Sequence, residues 1–153
     1  IPVDKRWTHE RWRFGDRTVS LDELEHGMIR KEFEEPRIHF AVVCAAIGCP
    51  PLRAEAYTPE KLEAQLEDQA KFVFTSPRWY RYEADRHVIH LTALLRWYKQ
   101  DFTAVSRSLP AYIGRYDDAL RRDLTTKRVV PDIEWLEYDW TLNDVSYRSR
   151  AAD

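Results

Sequence analysis

The chain has no run approaching the ~20 consecutive apolar residues that a membrane-spanning helix needs, although 44% of its residues are hydrophobic. It also lacks a dominant charge. With a formal net charge of -2, and Lys/Arg interleaved with Asp/Glu, it has no basic footprint of the kind a phosphate backbone selects, so nucleic acid is not expected as a partner. The most basic stretches, 11–17 and 121–128, have acids nearby and read as solvated faces. The two cysteines, Cys44 and Cys49, are too few for a disulfide framework. No repeat, low-complexity tract or Gly/Ser linker divides the chain. What is present is 153 residues, 33% of them charged, a length at which roughly two thirds of the unfolded surface can be buried. The expectation is one soluble domain over 1–153. The opening Ile1-Pro2-Val3-Asp4, with the only methionine at Met28, reads as a processed or trimmed form.

Local patterns predict a mixture of hairpins and helices. Trp12-Arg13-Phe14 and Arg17-Thr18-Val19 alternate about Gly15-Asp16, as in a tight hairpin. Ser20-Leu21-Asp22-Glu23 has the spacing of a capping box and predicts a helix to about Arg30, with Leu21, Leu24, Met28 and Ile29 as its apolar stripe. The most hydrophobic run, 38–47, stops at Gly48; its β-branched content favours a strand buried on both faces, although a short buried helix would have the same composition. Thr58 and Pro59 mark the start of a helix to about Phe74, and 79–83 with 87–91 form a second hairpin. Thr92 caps a helix over 94–102, Ser108 with Pro110 another over 112–124, and a last strand covers 133–138. Clustered hairpins and helices without βαβ alternation indicate an α+β fold, with small antiparallel hairpins and a central buried strand packed with several helices.

Several segments resemble the family known as domain of unknown function 547, found in bacteria and as the C-terminal part of some plant proteins. They are 20–30, Pro36 to Ala41, Cys44 through Cys49-Pro50-Pro51-Leu52-Arg53 to Thr58, Leu91 to Phe102 with Trp97-Tyr98 and Asp101-Phe102, and Tyr138-Asp139-Trp140-Thr141-Leu142-Asn143. The family usually opens with an amphipathic helix carrying an aromatic-Trp-Ile-Asn pattern, which is not found here. The resemblance therefore implies an N-terminally incomplete domain, with a partner chain or a homodimer covering the surface left open. Members carry Ser as well as Cys at the position of Cys49, so the resemblance supports Cys44 at least as well. It implies no chemistry, because the family is defined without an activity.

The sharpest chemical candidate is a Cys-His site. A thiol attacks only as thiolate, which requires its pKa of about 8.5 to be lowered by an imidazole, a cation or a helix N-terminus. Cys49 lies in a Gly-Cys-Pro-Pro turn and Cys44 lies within the hydrophobic run, between Val43 and Ala45. His26 or His39 could act as base, with Glu25, Asp101 or Asp139 orienting it and Asn143 or backbone amides holding an oxyanion, in the manner of papain or transglutaminase. Against this, cysteines are commonly buried, and no protease signature such as Gly-Cys-Trp is present. A zinc site from His26, His39, Cys44 and Cys49 lacks Cys-x-x-Cys or His-x-x-x-His spacing, so neither metal nor cofactor is expected. A Cys44–Cys49 disulfide requires the chain to turn near Gly48, and would suit a bacterial periplasmic or secreted setting.

Three further features favour structure over chemistry. His87 and His90 are expected on opposite faces of one strand. Trp79, Tyr80, Tyr82, Trp97 and Tyr98 could stack on sugars or bases but have the spacing of core and cross-strand packing. Asp139 and Asn143 are expected to satisfy local backbone amides. Two functions stay open on the sequence alone. One is a non-catalytic interaction module, which is favoured, and the other is a cysteine-dependent hydrolase or acyl transferase.

Overall fold

The computed structural model describes residues 5–9 and 11–144. The chain divides into two compact units, Ile1–Glu35 and Pro36–Asp153. In the first, β1 (Trp12–Phe14) and β2 (Arg17–Val19) form the expected antiparallel hairpin, with Trp12 opposite Val19. Gly15 has φ +62, the left-handed value that a II′ turn requires at its first central position. The Ser20 hydroxyl then accepts from the Glu23 N–H at 3.0 Å, which is half of the expected capping box. The Glu23 carboxylate pairs with Arg17 on β2. The helix is wider than an ordinary one: Glu23–Ile29 has π geometry and passes into α1 (Arg30–Glu32).

The second unit holds the core. Its sheet has the order β3 (Tyr80–Glu83), β4 (Val88–Thr92), β5 (Asp132–Leu136). β3 and β4 are the expected hairpin, whereas β5 returns parallel to β4 after four helices, pairing Ile89 with Ile133 and Leu91 with Trp135. All five residues of β4 are buried, so this segment is the central strand.

The run 38–47 does not take that place. It opens as a one-turn helix, α2 (Ile38–Ala41), and continues as an irregular segment in which Ala46 bridges Leu142. Apolar composition alone cannot separate a buried strand from a buried turn of helix. The β4 backbone is bonded on both sides, and the 45–48 backbone bonds to the chain's C-terminal part instead.

The remaining helices are shorter than their patterns suggested. α3 (Leu62–Thr75) begins after Thr58, whose N–H is taken by the side chain of Gln65 at 3.0 Å. Thr92 does accept from the Leu94 N–H, but Tyr98 splits the helix into α4 (Ala93–Trp97) and α5 (Lys99–Ala104). Ser108 caps α6 (Leu109–Ile113), which stops at Gly114. Asp117 starts α7 (Asp118–Arg122), its Oδ1 accepting from the N–H groups of Ala119 and Leu120 at 2.8 and 2.9 Å. A π-type turn, Asp123–Lys127, follows. Phe40, Phe74, Phe102 and Tyr112 interlock edge-to-face and tilted between these helices and the sheet, with ring centroids 5.0–6.1 Å apart. The fold is α+β, with seven α-helices and two small sheets among the described residues. None of the described helices is long and apolar enough to cross a membrane.

His87 and His90 do not share a strand. His87 lies in the turn with φ 54, while His90 is buried on β4 between the carboxylates of Glu83 on β3 at 2.8 Å and Glu134 on β5 at 3.3 Å.

Candidate functional site: a dithiol under a tyrosine

Both cysteines are free thiols, and they meet. Ala45 adopts φ 59, a left-handed conformation that costs a non-glycine residue about 1 kcal/mol. Residues 46–49 then turn, with the Cys49 N–H donating to the Ala46 carbonyl at 3.1 Å. This reversal places the two sulfurs 2.8 Å apart and lets the Cys44 N–H donate to the Cys49 sulfur at 3.2 Å.

The turn is held from two directions. Ile47 and Gly48 donate N–H groups to the carbonyls of Thr141 and Asp139, and Asn143 donates back to Ala45, all at 2.8 Å. Across the turn, the Trp79 indole donates to the Gly48 carbonyl at 2.9 Å and Arg78 to the Ile47 carbonyl at 2.7 Å. Gly48 is required by proximity. A Cβ there would meet the Asp139 nitrogen and the Tyr138 ring at 3.0 Å.

That close approach brings the Tyr138 hydroxyl over the sulfurs, 3.2 Å from Cys44 Sγ and 3.1 Å from Cys49 Sγ. The two thiols are not equivalent. Cys44 is half-buried, and its pKa is lowered from 9.0 to about 5, chiefly by the hydrogen bond from Cys49, with burial opposing and Tyr138 assisting. Cys49 is 6% exposed, and its thiol is pushed up by the same bond and by burial. Tyr138 is pushed up first by burial and then by its bonds to the sulfurs, so the phenol keeps its proton. The pair therefore loses its first proton easily and its second with difficulty, and Cys44, the more accessible sulfur, carries the charge.

His39, on α2, is buried, bonded through Nε2 to Asp101 Oδ2 at 2.7 Å and stacked on Tyr98 with centroids 3.7 Å apart. In the first unit, His26 contacts Arg30 at 3.0 Å, with Glu25 and Asp22 each 3.9 Å away. The polar partners of the two sulfurs are each other, backbone groups and Tyr138. Asp139 Oδ1 accepts from the Thr141 N–H at 2.8 Å, the local turn anticipated from its sequence. No group of three His, Cys, Asp or Glu side chains suited to a metal ion is present among the described residues.

Tyr138 also belongs to an aromatic shelf. Its ring lies 4.8 Å from Trp97 and 4.6 Å from Trp140, and the two indoles stack at 5.4 Å. The sequence offers Trp97 as a stacking residue but does not group it with Tyr138 and Trp140. Tyr138 is 94 residues from Cys44 and carries no local signal of its role.

Residues 3–73 match the model of DUF547, a family of proteins of unknown function. The DUF547 match is partial, covering the first unit and the second as far as α3. It contains Glu25, His26, His39, Cys44 and Cys49 and ends before Trp97 and Tyr138. No curated protein and no solved structure matches the chain.

Proposed function

We propose that this protein works as a protein-binding module whose contact face is the shelf of Trp97, Tyr138 and Trp140. The exposure of both indoles carries this reading: Trp97 is 47% and Trp140 67% exposed, although each is stacked on aromatic neighbours. Leu142, two residues beyond Trp140, is also exposed. Exposed tryptophan and tyrosine are the side chains most enriched at the centres of protein–protein interfaces. Covering the open parts of both indoles would remove on the order of 200 Å² from water, about 5 kcal/mol before the cost of association.

The partner we assign is a second copy of this chain. Sedimentation equilibrium over a wide concentration range tests it, with Trp97→Ala and Trp140→Ala in parallel. The expected result is a dimer whose association weakens about tenfold or more in each variant, as for a central interface tryptophan. A protein that stays monomeric to about 1 mM, an affinity of roughly 4 kcal/mol, would refute the reading. So would a dimer indifferent to both substitutions.

A further inference from the structure

We infer that Cys44 and Cys49 form a thiol–disulfide exchange centre, in which Cys44 attacks an external disulfide and Cys49 resolves the product into an intramolecular bridge. The inference is independent of the aromatic shelf's role in binding.

Three features of the geometry carry it. The sulfurs are 2.8 Å apart as free thiols, so joining them at the bond length of about 2.04 Å needs a movement of less than ~1 Å. The reversal at Ala45 and the turn at 46–49 already supply the backbone conformation. Access is asymmetric: Cys44 is half-buried and can meet a reagent, while Cys49 lies beneath it, 6% exposed. Finally, each sulfur has donors directed at it. Cys49 receives the Cys44 N–H and the Tyr138 hydroxyl, and Cys44 lies within hydrogen-bond distance of the Cys49 thiol and the same hydroxyl. A thiolate on either sulfur is thereby solvated by the protein, which suits a centre whose two sulfurs alternate as nucleophile and leaving group.

The exchange balances without a cofactor. The Cys44 thiolate attacks one sulfur of a disulfide R–S–S–R, forming Cys44–S–S–R and releasing R–S⁻. Once Cys44 is in the mixed disulfide, its negative charge no longer opposes ionisation of Cys49. Cys49 then loses its proton to solvent, attacks Cys44 Sγ and expels the second R–S⁻. Two electrons pass to the external disulfide, which leaves as two thiols, and the protein keeps one new S–S bond. Millimolar thiol reverses the sequence. Tyr138 is a positioning residue here, since it touches both sulfurs and exchanges no electrons.

Oxidised glutathione is the probe, applied to the full chain and followed by intact-mass measurement. The wild type should lose two hydrogens without retaining an adduct, and excess reduced glutathione should restore both thiols. Cys49→Ser should accumulate one glutathione on Cys44. Cys44→Ser should react at least tenfold more slowly than the wild type. Circular dichroism establishes that each variant is folded, and the wild-type result stands without them. The inference is overturned if the wild type holds stable glutathione adducts without bridging. A dithiol unchanged by excess oxidised glutathione, or a bridge that reduced glutathione cannot reopen, would overturn it equally.

Discussion

The pH dependence of Cys44 alkylation provides a quantitative check on the hydrogen-bond cluster around the sulfurs. At pH 6 an ordinary thiol of pKa 9.0 is ~0.1% thiolate, whereas Cys44 at about 5 is ~90% thiolate. That gain of about 900-fold is partly lost, because a less basic thiolate is a poorer nucleophile. With a Brønsted coefficient of about 0.4–0.5, the fall from 9.0 to about 5 costs a factor of roughly 40–100. The net expectation is that iodoacetamide modifies Cys44 about 10- to 20-fold faster than a small-molecule thiol at pH 6. The sign reverses at high pH, where the small thiol is also ionised and overtakes Cys44. The Cys44 rate should rise to a plateau within about a pH unit above 5, and Cys49→Ala, which removes the main stabilising donor, should move the midpoint upward towards the ordinary value. Rates measured by mass spectrometry from pH 4 to 10 settle it. A wild-type rate that climbs tenfold per pH unit up to about pH 9, or a midpoint indifferent to Cys49→Ala, would show that the cluster does not act on Cys44 as described.

Two substitutions test how the structure around the site is held. Gly48→Ala places a methyl group 3.0 Å from the Tyr138 ring and the Asp139 nitrogen. Overpacking of this kind costs about 1–3 kcal/mol. Thermal unfolding should fall by roughly 2–12 °C for a chain of this size, together with a rise in the alkylation midpoint as Tyr138 is pushed off the sulfurs. A stable variant with an unchanged midpoint would contradict the close approach. Asp117→Ala should cost about 2–4 kcal/mol in urea unfolding, more than the ~1 kcal/mol for the simple cap Ser108→Ala, because Asp117 caps α7 and also accepts from the Tyr80 hydroxyl at 2.6 Å. Equal losses for the two variants would mean that the Tyr80 contact contributes nothing.

Features governed by contacts a few residues apart were legible. The turn at Gly15-Asp16, the Ser20, Thr92 and Ser108 caps and the hairpin of β3 and β4 all follow from local rules, and all appear in the structure. Boundaries were less legible where a side chain several residues away enters the first or last turn. α3 begins at Leu62, after Thr58 has given its N–H to the Gln65 side chain, and Asp117 begins a new helix within what reads as one continuous segment. The run 38–47 starts as a helix and not as the favoured strand, because hydrophobicity reports burial, and burial is shared by a turn of helix and a strand. At the site, the two cysteines and the need for a turn near Gly48 were visible in the sequence, but their third partner was not.

The amino-acid sequence by itself determined the α+β class, most of the caps and turns, and the five-residue separation that lets two thiols meet around Gly48. Tertiary structure alone decided which strand lies at the centre, which carboxylates flank His90, and that Tyr138 rests on both sulfurs while Trp97 and Trp140 stay open. The reason is range. A cap or a tight turn is closed by atoms within one or two turns of chain, whereas the Tyr138 contact spans 94 residues and exists only because the C-terminal segment bonds to the backbone of 45–48.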